Sequence, residues 1–303
     1  MNLRALAFLT SFGFLGSLGL SAKETLLYTG LTRTGWQIHA LNLSTGQTTQ
    51  LTKSPGDKRT PLYSKSKDQI LYRGPRGRIL ALNRQGEETV EVNLTGCGDF
   101  SLQKSDTDET TETILVTRLV TGNPQRQQIW KATPPDHLDR VARAPEGSFR
   151  QIQTQDSRLF ATHIWRSGEE RVVELIKQGA DAAPDLVYWT SSQQIAAYPR
   201  WLGEDLGIIS SLKVSSNNYD LHLISKAETA SSPLVASEEF SEFGSTYHQQ
   251  EQRIYYERVD KSGVWSLASV PIRTTESRAP TSITLPHPAK EPAIVTLPAN
   301  WKN

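Results

Sequence analysis

One feature limits the possible folds of this chain more than any other: short runs of β-branched and aromatic residues return at a nearly fixed spacing. They read "TLLYTG" from Thr25, "QILYRG" from Gln69, "TILVTRL" from Thr113, "RLFATHIW" from Arg158, "LGIISSL" from Leu206 and "RIYYERV" from Arg253. Their first aliphatic residues are Leu26, Ile70, Ile114, Leu159, Leu206 and Ile254, so successive units are 44, 44, 45, 47 and 48 residues apart. Self-similarity at 40–50 residues marks an array built from one supersecondary unit. Each run is followed by a Gly- or Asn-bearing turn and a second strand ("QIHALNL", "RILALN", "QQIWKAT", "RVVELIK", "YDLHLIS", "VWSLASV"). Gly and Asn supply the positive φ that tight hairpins need.

A third strand follows in every unit: "TTQLT", "TVEVNL", "DRVAR", "DLVYWT", "PLVAS", "TSITL". A fourth opens the next unit: "TPLYS", "DFSLQ", "SFRQIQ", "AAYPRW", "FGSTYH". No amphipathic helix of ten residues or more stands out after the N-terminus. Four short strands per roughly 45 residues is the signature of a propeller blade. In "TTQLTKSPGDKRTPLYS" an outer strand, a crossing loop turned by Pro55-Gly56-Asp57, and the next inner strand follow in order. Pro61 is placed at the start of that strand, where its missing N–H harms no ladder. The first unit lacks an inner strand, and Ile294 to Pro298 is a spare strand after the sixth outer one. Pairing the two closes the ring and removes free edges. The expected fold is therefore all-β: a six-bladed β-propeller of four-stranded blades over residues 23–303, sealed by the C-terminal strand. An irregular pair of β-sandwiches is the alternative.

Residues 1–22 read as a secretory signal peptide: Arg4, an apolar run from Ala5 to Leu20, then small residues to Ala22. A retained anchor is the alternative, but the run is short for a span of about 20 residues. The protein is thus expected in the periplasm or outside the cell, with no membrane span after cleavage, as a monomer. Removing 1–22 takes one base from 33 and none of the 32 acids, leaving 32 against 32. A neutral chain has no general attraction for nucleic acid or anionic membranes. The single Cys97 cannot form an internal disulfide and reads as a small buried residue.

At residues 37–72, "QIHALNLSTGQTTQLTKSPGDKRTPLYSKSKDQILY" resembles the TolB-type, WD40-like propeller repeat. Ile38, Leu41, Asn42, Gly46, Leu51, Thr52, Asp57, Pro61, Tyr63, Ser64, Ile70 and Tyr72 fall on its pattern. Tyr63 stands where the repeat has Trp, and "KSKDQ" lacks its Asp-Gly turn. The likeness is good in the first seam, weaker in the second, and thereafter mostly hydrophobic pattern. It implies an exported propeller with a binding role. The family's type member binds an envelope lipoprotein through the channel and carries an added α/β domain, for which no room is expected here.

Catalytic motifs are missing: there is no Gly-x-Ser-x-Gly, Cys-x-x-Cys, His-Glu-x-x-His or phosphate-cradling loop, so no metal or cofactor is expected. His39 and His222 occupy a slot filled elsewhere by Leu80 and Trp130 and read as packing residues. His137 and His287 sit in Pro-flanked loops and read as solvated, while His163 lies in a strand. His248, ending an inner strand beside Tyr247, is the one placed near the axis. Inner strands line a propeller's channel and mouth, which makes Arg59, Asp99, Phe100, Phe149, Arg150, Arg200, Trp201, Phe243 and Tyr247 the candidate binding residues. Arg33, Arg73, Arg76, Arg78, Arg126, Arg166 and Arg171 are added from hairpins. Arginines with aromatics suit carboxylate-bearing peptides or sugars. Two functions follow: a non-enzymatic module binding an envelope protein or peptide, or a lyase of acidic oligosaccharides using His248. A purely structural scaffold is a third reading.

Overall fold

The computed structural model describes residues 23–298 and 301, apart from 106–107, 109, 121–122, 156, 177–183, 193, 204, 214–216, 227 and 273–279. The expected signal peptide lies outside the described residues. Among those described, no helix is long and apolar enough to cross a membrane.

Among the described residues, twenty-four strands follow one another. The first three are β1 (Lys23–Thr32), β2 (Gly35–Asn42) and β3 (Thr48–Gln50). The next unit is β4 (Arg59–Ser64), β5 (Gln69–Arg73), β6 (Ile79–Leu82) and β7 (Glu88–Val92). It is followed by β8 (Cys97–Lys104), β9 (Glu112–Val120), β10 (Asn123–Thr133) and β11 (His137–Ala142). Then come β12 (Gly147–Gln155), β13 (Arg158–Trp165), β14 (Glu170–Ile176) and β15 (Asp185–Tyr188). The fifth unit is β16 (Ala196–Trp201), β17 (Leu206–Lys213), β18 (Asn218–Ser225) and β19 (Glu228–Val235). The last is β20 (Phe240–His248), β21 (Arg253–Asp260), β22 (Trp265–Pro271) and β23 (Thr281–Ser282), before β24 (Ala289–Leu297).

They form six four-stranded antiparallel sheets, and the first has the order β24-β1-β2-β3. The C-terminal strand therefore seals the ring as expected, with Ile294 opposite Leu26 and Leu297 opposite Lys23. Blades are numbered 1 to 6 from this closed sheet. The core lies between blades: Leu71 and Ile79 of blade 2 pack with Ile114 and Val116 of blade 3, and Phe160 of blade 4 packs with Ile209 of blade 5. Both faces of each blade are covered, which is why the central strands read as continuous apolar runs.

The inner strands carry a device that strand alternation does not reveal. Each has one extra residue against its neighbour: at Thr60-Pro61, Gly98-Asp99, Gln151-Ile152, Tyr198-Pro199, Gly244 and Glu291-Pro292. Such bulges bend a strand and aim side chains anew. Pro61 thus sits inside β4, not at its start, and the bulge is what tolerates its missing N–H. Thr60, Gln151, Tyr198 and Glu291 hold φ of 54, 48, 53 and 55°. Positive φ is costly for side chains of this size.

A ring of bonds between blades offsets that strain. Gln151 N donates to Asp99 Oδ2 (2.8 Å), Tyr198 N to Gln151 Oε1 (3.3 Å), Glu291 N to Glu257 Oε2 (2.6 Å) and Thr60 N to Glu291 Oε2 (2.8 Å). At four seams, a side chain of one blade satisfies the bulge of the next. This locks the angle between the blades at those four seams.

Close approach is equally tight at Gly147, where a Cβ would lie 1.9 Å from the backbone oxygen of Ile164 on the paired strand. Gly147→Ala is expected to lower stability by about 1–3 kcal/mol, as overpacking does. Gly203→Ala, with nothing within 4 Å of the new methyl, should leave it nearly unchanged. Urea midpoints of the two variants test this, and equal values would refute it.

Candidate functional site at the channel mouth

Antiparallel pairing sets the start of each inner strand beside the hairpin joining its blade's next two strands, as Arg59 opposite Arg73 illustrates. One end of the ring therefore carries both sets of residues. There the side chains form an arc across four blades. Arg59 Cζ lies 5.0 Å over the Trp36 ring, and Lys290 Nζ lies 4.4 Å from Trp36 and 5.0 Å from Trp265. Trp265 meets Phe243 at 5.7 Å, and Phe243 meets Tyr219 at 5.1 Å and Tyr198 at 5.6 Å. All seven are half-buried. Each ring rests on a neighbour and keeps part of its surface open.

The electrostatics are mixed. Arg59 pairs with Glu291 at 3.8 Å. Burial, then the nearby carboxylates of Glu257 and Asp99, hold the Tyr198 phenol well above its usual range. Burial raises the Glu170 carboxyl, with Arg150 opposing. Exposed Arg150 extends the positive rim into blade 4. Aromatic faces interleaved with cations suit peptide or sugar surfaces through stacking and cation–π contact.

Of the residues expected at the mouth, Arg59, Arg150 and Phe243 are brought there. Asp99 faces the same ring, but one carboxylate oxygen is committed to the Gln151 N–H. Phe100 is 2% exposed and packs between blades 2 and 3. Trp201 is 4% exposed and packs on Phe160 and Trp189, at 4.0 and 4.2 Å. Phe149 is fully buried in the core between blades 3 and 4. These three are therefore corrected from binding to core residues. Side chains alternate along a strand, and the extra bulge residue transfers later positions to the other face. Tyr247 packs on the blade 5–6 core away from the arc, and Arg200 lies deeper in the channel. Two hairpin arginines serve the frame: Arg171 donates to Thr190 O through Nε (2.8 Å) and Nη2 (2.6 Å), and Arg73 Nη1 to Gly98 O (3.1 Å).

Trp36, Trp265 and Lys290 were missed from sequence. The signal was present: Trp36 follows Gly35 and Trp265 follows Gly263-Val264, at equivalent hairpins of blades 1 and 6.

The histidines also move. His248 is 3% exposed at the other end of β20, with Nε2 2.9 Å from Glu24 and Nδ1 3.2 Å from Glu251. It lies between blade 6 and Glu24 of blade 1 and is not at the mouth. His287, expected in solvent, instead packs tilted against His39 at 4.3 Å and stacks on Tyr28 at 5.8 Å. Burial lowers both imidazoles, His39 to about 4 with help from the His287 charge. Cys97 is buried and its thiol raised by burial. Among the described residues, no group of three or more His, Cys, Asp or Glu is placed to hold a metal ion.

No protein-family model matches the chain, and no curated protein matches it in sequence. Solved structures do match in shape. TolB from Acinetobacter baumannii is 12% identical with TM-score 0.69, covering 91% of this chain and 67% of its own. A putative TolB from Agrobacterium tumefaciens is 7% identical with TM-score 0.64, covering 89% and 92%. Hydrazine synthase from Kuenenia stuttgartiensis is 13% identical with TM-score 0.64, covering 93% and 48%. At such identities the likeness concerns the backbone alone, and propellers of this shape occur in enzymes as well as in TolB. In fold, the chain is a TolB-like six-bladed β-propeller.

Proposed function

We propose that this protein is an exported, non-enzymatic module of the cell envelope that binds a protein or peptide at its channel mouth. The observation that carries this reading is the half-buried arc Arg59–Trp36–Lys290–Trp265–Phe243–Tyr198. Interfaces draw their energy from aromatic and arginine anchors set in a rigid frame, and this arc sits on strands fixed by the bulge ring. The apolar N-terminal run supports export, and the TolB-like fold agrees with a binding role. The lyase reading loses its acid–base group, because His248 is enclosed by Glu24 and Glu251 at the far end of its strand.

The test is capture from crosslinked envelope extract by the parent and by Trp36→Ala/Trp265→Ala. Both side chains are partly exposed at the ends of hairpins, so the variant should fold. A partner held by the parent and weakened at least about tenfold in the variant is expected. Equal retention by both would show that the mouth is not the surface.

A further inference from the structure

Below the arc, β16 carries Arg200 directly after its bulge. Arg200 Nη1 donates to Gln153 Oε1 of blade 4 (2.8 Å) and Nη2 to Thr246 Oγ1 of blade 6 (3.2 Å). A blade 5 side chain that touches the inner strands on both sides must run along the channel wall. Both acceptors are neutral. Among the described residues no carboxylate lies within ion-pair distance of Arg200, whereas Arg158 has Glu174 at 2.8 Å, Arg59 has Glu291 and Arg84 has Asp68. Burial alone lowers Arg200 to about 10, with no acidic neighbour opposing it. It stays charged at neutral pH all the same.

Arg200 is half-buried, and a partly desolvated guanidinium without a counter-charge is costly. The acids of the bulge ring do not supply one. Glu291 is paired with Arg59, and burial and the Glu291 charge raise Glu257 to about 8, so that it is mostly protonated at neutral pH. Asp99 turns one oxygen to the Gln151 N–H, outside ion-pair distance of Arg200. Charge balance inside the ring therefore calls for an anion from outside. The guanidinium fork matches a carboxylate, and Tyr198 of the arc stands two residues before Arg200 on the same strand.

We propose that Arg200 is the anion-binding point of the channel, receiving one carboxylate of the ligand. The carboxylate belongs to an acidic peptide or to a small free acid. This deepens the mouth reading and shares its ligand path, but can fail separately.

Calorimetric titration of the protein with succinate, with succinamide, and with an acidic peptide having a free or amidated C-terminus tests it. Succinate should bind saturably and raise the melting midpoint, while neutral succinamide does neither. Arg200→Gln should weaken succinate at least tenfold and melt higher than the parent without ligand, since an unbalanced charge is gone. Arg200→Lys should be intermediate, and Arg140→Gln on an outer strand unchanged. Peptide binding lost in both Arg200→Gln and Trp36→Ala/Trp265→Ala identifies a peptide source; succinate binding lost only in the former identifies a free acid. Failure of the parent to distinguish succinate from succinamide overturns the proposal, even if Arg200→Gln does not fold. Envelope capture that fails while succinate binds would remove the mouth reading and leave this one standing.

Discussion

Deleting residues 289–303 is expected to abolish cooperative unfolding of the whole chain, not just of one blade. The removed strand supplies the inner edge of blade 1, pairing with β1 from Lys23 to Gly30. Without it, Leu26, Leu27 and Tyr28, now fully buried, lose cover. The segment also ties three blades together. Ala289 joins the core with Tyr255 and Leu267 of blade 6, while Leu297 and Trp301 join that with Ile70 and Tyr72 of blade 2. Trp301 Nε1 reaches Asp68 at 3.4 Å, and Glu291 caps Thr60 while accepting from Thr29 Oγ1 at 2.7 Å. Loss of several buried large side chains at about 2–5 kcal/mol each exceeds the 5–15 kcal/mol typical of a folded chain. An open ring further exposes an unpaired β1 edge, a template for association. Circular dichroism melts should lose their sharp transition and size-exclusion should show larger species. A truncated chain that melts at the parent midpoint would show that closure is dispensable.

The second large effect is a dependence on pH centred on Glu257. It is 5% exposed, and burial together with the Glu291 carboxylate raises it to about 8. Its ordinary value is 4.5, so the folded state holds the proton more tightly. The stability it contributes is complete below pH 4.5 and is lost as pH rises through 8. At about 1.4 kcal/mol per pKa unit, the alkaline loss is on the order of a few kcal/mol. Glu242, raised to about 8 by burial and the Asp220 charge, adds a second contribution of the same sign. His39 and His163 act oppositely. Both are lowered from 6.5 to about 4, mainly by burial, so their stability is complete above pH 6.5 and lost as pH falls through 4. A stability maximum between these limbs follows.

Glu257→Gln keeps an oxygen for the Glu291 N–H and removes the titration. It should melt about 5 °C above the parent at pH 9 and close to it at pH 5. Melting curves at intervals from pH 4 to 10 check this. Parallel profiles for parent and variant would mean that Glu257 does not control the alkaline limb.

How far the mouth could be read from sequence depended on which side of a bulge a residue falls. Arg59, Arg150 and Phe243 precede their bulges and appear where the alternation places them. Phe100 and Trp201 follow theirs and point into the inter-blade core. Gly98-Asp99 and Tyr198-Pro199 contain a Gly or a Pro, but nothing local in Gln151-Ile152 announces an extra residue. Trp36 and Trp265 were legible as hairpin aromatics at equivalent positions. Their sharing of Lys290 was not, because Lys290 returns from the far end of the chain.

Blade number, strand order and closure by a C-terminal strand, read as Ile294 to Pro298 and observed as Ala289–Leu297, were determined by the sequence itself. They follow from strand periodicity, turn residues and a count of strands, all of which are local properties. Only the tertiary structure decided that His287 packs against His39, that Asp99 and Glu291 cap bulges across seams, and that Arg200, among the described residues, has neutral partners alone. Those outcomes rest on contacts between blades far apart in the chain, where single-residue shifts reverse the face a side chain presents.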